Sequence, residues 1–218
     1  MIPFEWVDDC IEDKRKAEGR EIIPLDNDRV VMGVDVESNS GIILLRRGCS
    51  IESIREFPYT DTEQLADWVI RIALDEEPYA IMIDGLGVGY GLTAKLNKRC
   101  SSDIIEVIVN HAANESETYY QLRDELWWRV REKFERRAYS IPNDDDLIAQ
   151  LTTIKYDIIE NTGKIKIESK KKLHREGKSP HKADALCLTE YFEDELIRNY
   201  KTQRVNWREK IYSDWRIG

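Results

Sequence analysis

Three aspartates stand where an acid is out of place. Asp35 lies inside an apolar run, Arg29-Val-Val-Met-Gly-Val-Asp-Val36, between two valines. Asp84 closes a second run, Tyr79-Ala-Ile-Met-Ile-Asp84, just before the alternating Gly85, Gly87, Gly89 and Gly91. Asp184 sits between Ala183 and Ala185 near the start of the last helical stretch, on its packing side, where small neighbours let a helix approach a sheet closely. A carboxylate buried without a partner is costly, so something must compensate for it. In an open sheet, the carboxyl ends of strands line the crevice where ligands bind. If the last helix docks over the ends of both strands, the three carboxylates converge, and convergent carboxylates call for a cation. Oxygen-only ligands select hard ions, Mg²⁺ or Mn²⁺. Two such ions about 3.5–4 Å apart hold a phosphodiester, activate water and stabilise the leaving oxygen. The expected chemistry is therefore metal-dependent phosphodiester cleavage, with Asp35, Asp84 and Asp184 as ligands and catalytic groups. Singly, each acid has a plainer explanation: a buried partner for Asp35, a turn role for Asp84, a helix-dipole preference for Asp184. Their joint placement carries the expectation.

A basic strip precedes Asp184. Lys164 to Lys182 holds seven Lys and one Arg against two Glu, a net +6 in a chain of net charge -9. Lys170, Lys171, Lys172, Arg175, Lys178 and Lys182 would grip a phosphate backbone beside the acids through salt-sensitive contacts. The competing explanation is a solvated, lysine-rich hairpin edge. His181 shares a helix face with Asp184, three residues on, so contact with metal or phosphate stands beside a capping or solvent role. His111 and His174 have no ligand spacing, and Trp127-Trp128 read as core and surface of a long helix. The glycines form neither Gly-x-Gly-x-x-Gly nor a P-loop, so no bound nucleotide is expected.

The elements that must position these residues follow from periodicity. Residues 1–28, with nine acids and four bases, read as a linker helix (about Glu5 to Glu18) and connector. The runs at 29–36, 42–46 and 50–57 read as a three-strand meander, and Asp61 caps a helix to about Glu76. A strand to Asp84, a helix to Arg99 and a strand from Ile104 to Val109 follow. Then come a long helix (Tyr119 to Arg137), a short one (Asp144 to Leu151), a hairpin around Asn161-Thr-Gly163, and a helix opened by Ser179 as N-cap and Pro180. Residues 29–200 thus form an α/β domain with a mixed sheet, three antiparallel strands then parallel ones, flanked by helices and carrying a late hairpin. Residues 201–218 read as a tail.

Composition excludes several classes. The 218 residues are 34% charged, and no window approaches the ~18 apolar residues of a membrane span. The N-terminus lacks the pattern of a signal peptide. Cys10, Cys49, Cys100 and Cys187 contain no CxxC pair, which excludes a zinc ribbon and fits a reducing, intracellular compartment.

The segments Phe4-Glu-Trp-Val-Asp-Asp-Cys-Ile, Met32-Gly-Val-Asp-Val-Glu, Ile83-Asp-Gly-Leu-Gly-Val-Gly, Tyr120-Gln-Leu-Arg-Asp-Glu-Leu-Trp-Trp and Ser179-Pro-His-Lys-Ala-Asp-Ala-Leu appear in that order. In order and wording the chain resembles the nuclease domain of the large terminase subunit of tailed phages, over roughly residues 1–200. The resemblance implies an RNase H-like fold. It also implies that Asp35, Asp84 and Asp184 bind two divalent ions, Mg²⁺ or Mn²⁺, to cut double-stranded DNA during genome packaging in the host cytoplasm. The implied partners are double-stranded DNA, the terminase ATPase domain, which this chain lacks, the portal protein and the small terminase subunit, with no membrane. The family often has an acid where His181 stands. Glu37 replaces a small residue and shares the face of Asp35, which makes it a further possible ligand. The alternatives are a junction resolvase or other RNase H-like nuclease, and, from another class, a non-catalytic module that docks a packaging motor on a portal or capsid.

Overall fold

The apolar runs pair into one five-stranded sheet: β1 (Val30–Val36), β2 (Ser40–Arg47), β3 (Ser50–Pro58), β4 (Ala80–Asp84) and β5 (Asp103–Val107), in the spatial order β3-β2-β1-β4-β5. The structure is a computed structural model that describes residues 1–192 apart from 26, 27, 38, 86, 87 and 178, and the side chains at 88–90 and 174 also lie outside the description. Lys178, part of the glycine run and the tail expected over 201–218 therefore lie outside the described residues. β1 pairs antiparallel with β2, and β2 with β3, while β1–β4 and β4–β5 are parallel. The crossovers are α3 (Thr62–Glu76) and α4 (Val88–Leu96). α3 starts where expected, because the Asp61 carboxylate accepts from the amides of Glu63 and Gln64, both at 2.9 Å.

Strand alternation gives the sheet two unlike faces. Val30, Met32, Val34, Ile81 and Ile83 pack with Leu65, Val69, Leu92 and Leu96 of α3 and α4. Val31, Ala80 and Met82 point to the other layer. That layer holds α5 (Leu122–Glu135), α6 (Asp145–Thr153) and a last helix, α8, described over residues 181–192. Period two places Asp35 with Val31, and Asp84 with Ala80 and Met82, on this second face. α8 lies directly on β1 at Gly33: a Cβ there would stand 2.1 Å from the carbonyl oxygen of Ala185 and 3.0 Å from Thr189 Cγ2. Only glycine allows that approach, and the approach carries Asp184 to the strand ends.

Three elements differ from the sequence expectation. The N-terminal helix is two short ones, α1 (Phe4–Asp8) and α2 (Glu12–Ala17), broken where the Ile141 amide donates to the Cys10 carbonyl at 2.9 Å and Glu12 donates to the Ile141 carbonyl at 2.8 Å. Ile2, Val7 and Cys10 are buried in the second layer, so this stretch packs as core rather than hanging free as a connector. The hairpin β6 (Tyr156–Ile158) and β7 (Ile165–Ile167) forms as read, but the basic strip after it winds into an unexpected helix, α7 (Lys170–Arg175). α8 begins one residue later than expected. Pro180 accepts its first bond, from Asp184 N at 2.7 Å, and the Ser179 hydroxyl turns to Glu37 and His181 instead of capping.

Candidate active site

The three aspartates meet. β1 and β4 run in register from Val31↔Ala80 to Val34↔Ile83, so Asp35 and Asp84 leave adjacent strands side by side, and α8 brings Asp184 over them. They are 2%, 8% and 5% exposed, respectively. Three carboxylates so buried require compensation, and Lys170 at the start of α7 supplies it. Its ammonium lies 3.1 Å from Asp184 Oδ2, 3.2 Å from Asp35 Oδ1 and 3.4 Å from Asp84 Oδ2. Burial alone would lower the Lys170 pKa, but the charges of Asp184, Asp35 and Asp84 outweigh it and hold the ammonium well above the ordinary lysine value. A cavity of about 10 Å³ remains against these residues, room for roughly one water.

Each acid has further partners. Asp184 accepts from Trp127 Nε1 at 2.8 Å, and Arg123 Nη2 stands 3.5 Å from the same oxygen. Burial pushes the Asp184 carboxyl up, and Lys170, Arg123 and the Trp127 hydrogen bond overcome it, so the group stays ionised below the usual range. Asp35 Oδ2 lies 2.8 Å from His181 Nδ1, whose Nε2 is 2.6 Å from Glu37 Oε1. Burial alone would lower the His181 pKa, but Asp35 first and Glu37 next raise it above the usual histidine value. Asp124, at the start of α5, accepts from Gln121 N and from Ile167 N, both at 2.8 Å, and Arg123 Nη1 donates to the Glu168 carbonyl at 3.0 Å. α5 thus anchors the hairpin strand that leads into Lys170.

The sequence candidates fall into four places. Asp35, Asp84 and Asp184 form the centre. Lys170, read as a backbone contact, lies inside that centre; His181 and Glu37 pair at its Asp35 edge. Lys171, Lys172 and Arg175 are exposed on α7, with Lys172 2.6 Å from Glu168 Oε1. Lys182 is held away by Asp144 at 2.8 Å and Asp146 at 3.0 Å. Sequence reasoning missed the second duty of Trp127 and the position of Lys170, whose partners are 135, 86 and 14 residues distant along the chain.

The donor set fits a hard divalent ion. It is all oxygen, and Asp184 Oδ2 is a buried oxygen that accepts no well-directed hydrogen bond yet faces the ammonium. Among the described residues, no three acid, histidine or cysteine side chains are already drawn together as a metal cage. Lys170 now bridges the three carboxylates that would hold such an ion.

A five-stranded mixed sheet in this strand order, flanked by helices and carrying a late hairpin, is the RNase H-like fold. Known structures define it further. The chain superposes on the nuclease domain of the large terminase subunit gp2 of bacterial virus Sf6 with TM-score 0.73 at 18% identity, over 85% of this chain and 96% of that one. A lysine-to-alanine variant of the Sf6 domain with manganese matches at TM-score 0.73 and 19% identity, over the same shares. The large terminase nuclease from thermophilic phage G20c with bound magnesium gives TM-score 0.56 at 14% identity, over 76% of this chain and 82% of that one. The chain therefore has the fold of phage large-terminase nuclease domains. No protein-family profile matches it, and no curated protein matches it. Among the described residues, no helix is long and apolar enough to cross a membrane.

Proposed function

We propose that this chain is the nuclease domain of a phage packaging motor, a divalent-metal-dependent endonuclease that cuts double-stranded DNA in the host cytoplasm. The observation that carries the reading is the ring of three buried carboxylates closed on the Lys170 ammonium. Asp35, Asp84 and Asp184 would hold Mg²⁺ or Mn²⁺, two ions as in other phosphodiesterases of this chemistry. When bound, such ions activate water and neutralise charge on the phosphate. The chain's own residues prepare the place. Lys170 offsets the charge of the three acids until it is displaced, and His181, itself paired with Glu37, holds the outer oxygen of Asp35. Lys171, Lys172 and Arg175, exposed on α7 beside Lys170, are the side chains available to the DNA backbone. Neighbours of this fold crystallised with manganese and magnesium support the choice of ion. On this reading its partners are an ATPase domain, a portal and a small terminase subunit.

The test is incubation with supercoiled plasmid plus Mn²⁺, Mg²⁺ or EDTA, beside Asp84→Asn and Asp184→Asn. Metal-dependent nicking and linearisation are expected, and both variants should lose them because the ligand set is incomplete. Equal cutting by either variant would remove that aspartate from the site. A branched-DNA preference would favour a junction resolvase.

A further inference from the structure

The Asp184 carboxylate is gripped from behind by one face of α5. Trp127 and Arg123 are one helical turn apart, and both address Oδ1, at 2.8 and 3.5 Å. Neither reaches Oδ2, which is buried and faces Lys170 at 3.1 Å. The two oxygens have separate duties: one is bound to the scaffold and the other is offered to the site. Arg123 is a weak clamp by itself, since its contact lies at the limit of a hydrogen bond and its Nη1 serves the Glu168 carbonyl. Trp127 is the stronger one. Its ring is fully buried in the second layer, among the largest enclosed side chains, so the indole cannot swing away. Packing alone would be met by any large apolar ring, whereas an indole N–H buried without an acceptor would cost free energy.

We infer that Trp127 is a positioning residue for the metal site: its N–H occupies Asp184 Oδ1 and fixes the carboxylate so that Oδ2 alone is presented to a divalent cation. The inference rests on the nuclease reading above. Donors that orient a ligand in this way change metal affinity or activity by 10–100-fold.

The test uses protein labelled with ¹⁵N at the indole nitrogens of its six tryptophans. One indole signal, absent from Trp127→Phe, is expected downfield of the rest. It should move upfield in Asp184→Asn and shift as Mg²⁺ is titrated into the wild type. In parallel, Trp127→Phe should need about 10–100 times more Mn²⁺ for half-maximal cutting, with the KM for DNA unchanged. An indole signal indifferent to Asp184→Asn, or a folded Trp127→Phe with the wild-type Mn²⁺ requirement, overturns the inference. Should Trp127→Phe fail to fold, the wild-type indole signal, assigned by its contacts to α8 protons, decides alone. A wild-type chain that neither binds Mn²⁺ nor cuts DNA overturns the nuclease reading and this inference with it, and that failure is seen before any Trp127 variant is made.

Discussion

Helix α8 carries two buried carboxylates six residues apart, Asp184 and Glu190, and their surroundings differ in kind. Glu190 is 0% exposed and is met by fixed groups: Lys133 Nζ at 2.6 Å, the Tyr139 hydroxyl, and Arg46 at 3.7 Å. Arg46 in turn grips Thr189 twice at 2.9 Å. Burial raises the Glu190 carboxyl, and Arg46 and Lys133 bring it below its ordinary value. Every one of these partners comes from the long second-layer helix, the sheet or the loop beside them. Asp184 instead shares a lysine with two other acids, and that lysine opens a six-residue helix and is one-third exposed. A fully enclosed ion cluster holds the helix in place. On the proposed reading, the cluster closed by this partly exposed lysine is the one that exchanges its cation for a metal.

The contrast can be broken by substitution. Glu190→Ala should cost about 3–5 kcal/mol of stability, because Arg46 and Lys133 are left buried without their carboxylate. Asp184→Asn should cost less while abolishing cutting, since Asn keeps an oxygen for Trp127 and Lys170 keeps Asp35 and Asp84. The sign with pH follows from the depressed Glu190 value. Its contribution is present above the ordinary carboxyl value of 4.5 and is lost as pH falls through the lower folded value. Urea unfolding across pH 3–6 should therefore show a steeper acid loss in the wild type than in Glu190→Gln. Equal slopes would mean that the cluster is not the fixed tie described here.

Next in size is Gly33→Ala, expected to cost about 1–3 kcal/mol by overpacking against Ala185. It should lower the cutting rate more than it lowers DNA affinity, because α8 must lift and carry Asp184 off the strand ends. Unchanged thermal stability would show that the helix does not rest on β1 at this point. The smallest effect belongs to α7. Neutralising Lys171, Lys172 and Arg175 should weaken DNA binding and flatten its salt dependence by about 0.9 per lost phosphate contact. A slope equal to the wild type's would return these side chains to plain solvation.

Much of this was legible in residues 29–110, where short apolar runs, one capping aspartate and two misplaced acids mark the meander, the later parallel strands and, by period-two alternation, their faces. What stayed hidden was non-local. Lys170-Lys-Lys-Leu-His-Arg has Leu173 as its one buried apolar residue, too little periodicity to announce a helix in six residues. The kink at Cys10–Ile11 comes from Ile141, 130 residues after Ile11, so no local signal marks it. Trp127 reads correctly as core from its spacing, but its N–H partner lies 57 residues away and is supplied by the docking of α8 on Gly33.

The most direct measurement is thermal unfolding of Lys170→Ala and wild type with and without Mn²⁺. The metal-free variant should melt lower than the wild type, because three buried carboxylates have lost their common cation. Mn²⁺ should then raise its melting temperature more than it raises that of the wild type, which must first displace the ammonium. A Lys170→Ala protein of wild-type stability that gains nothing from Mn²⁺ would contradict the claim that these acids form an exchangeable cation site.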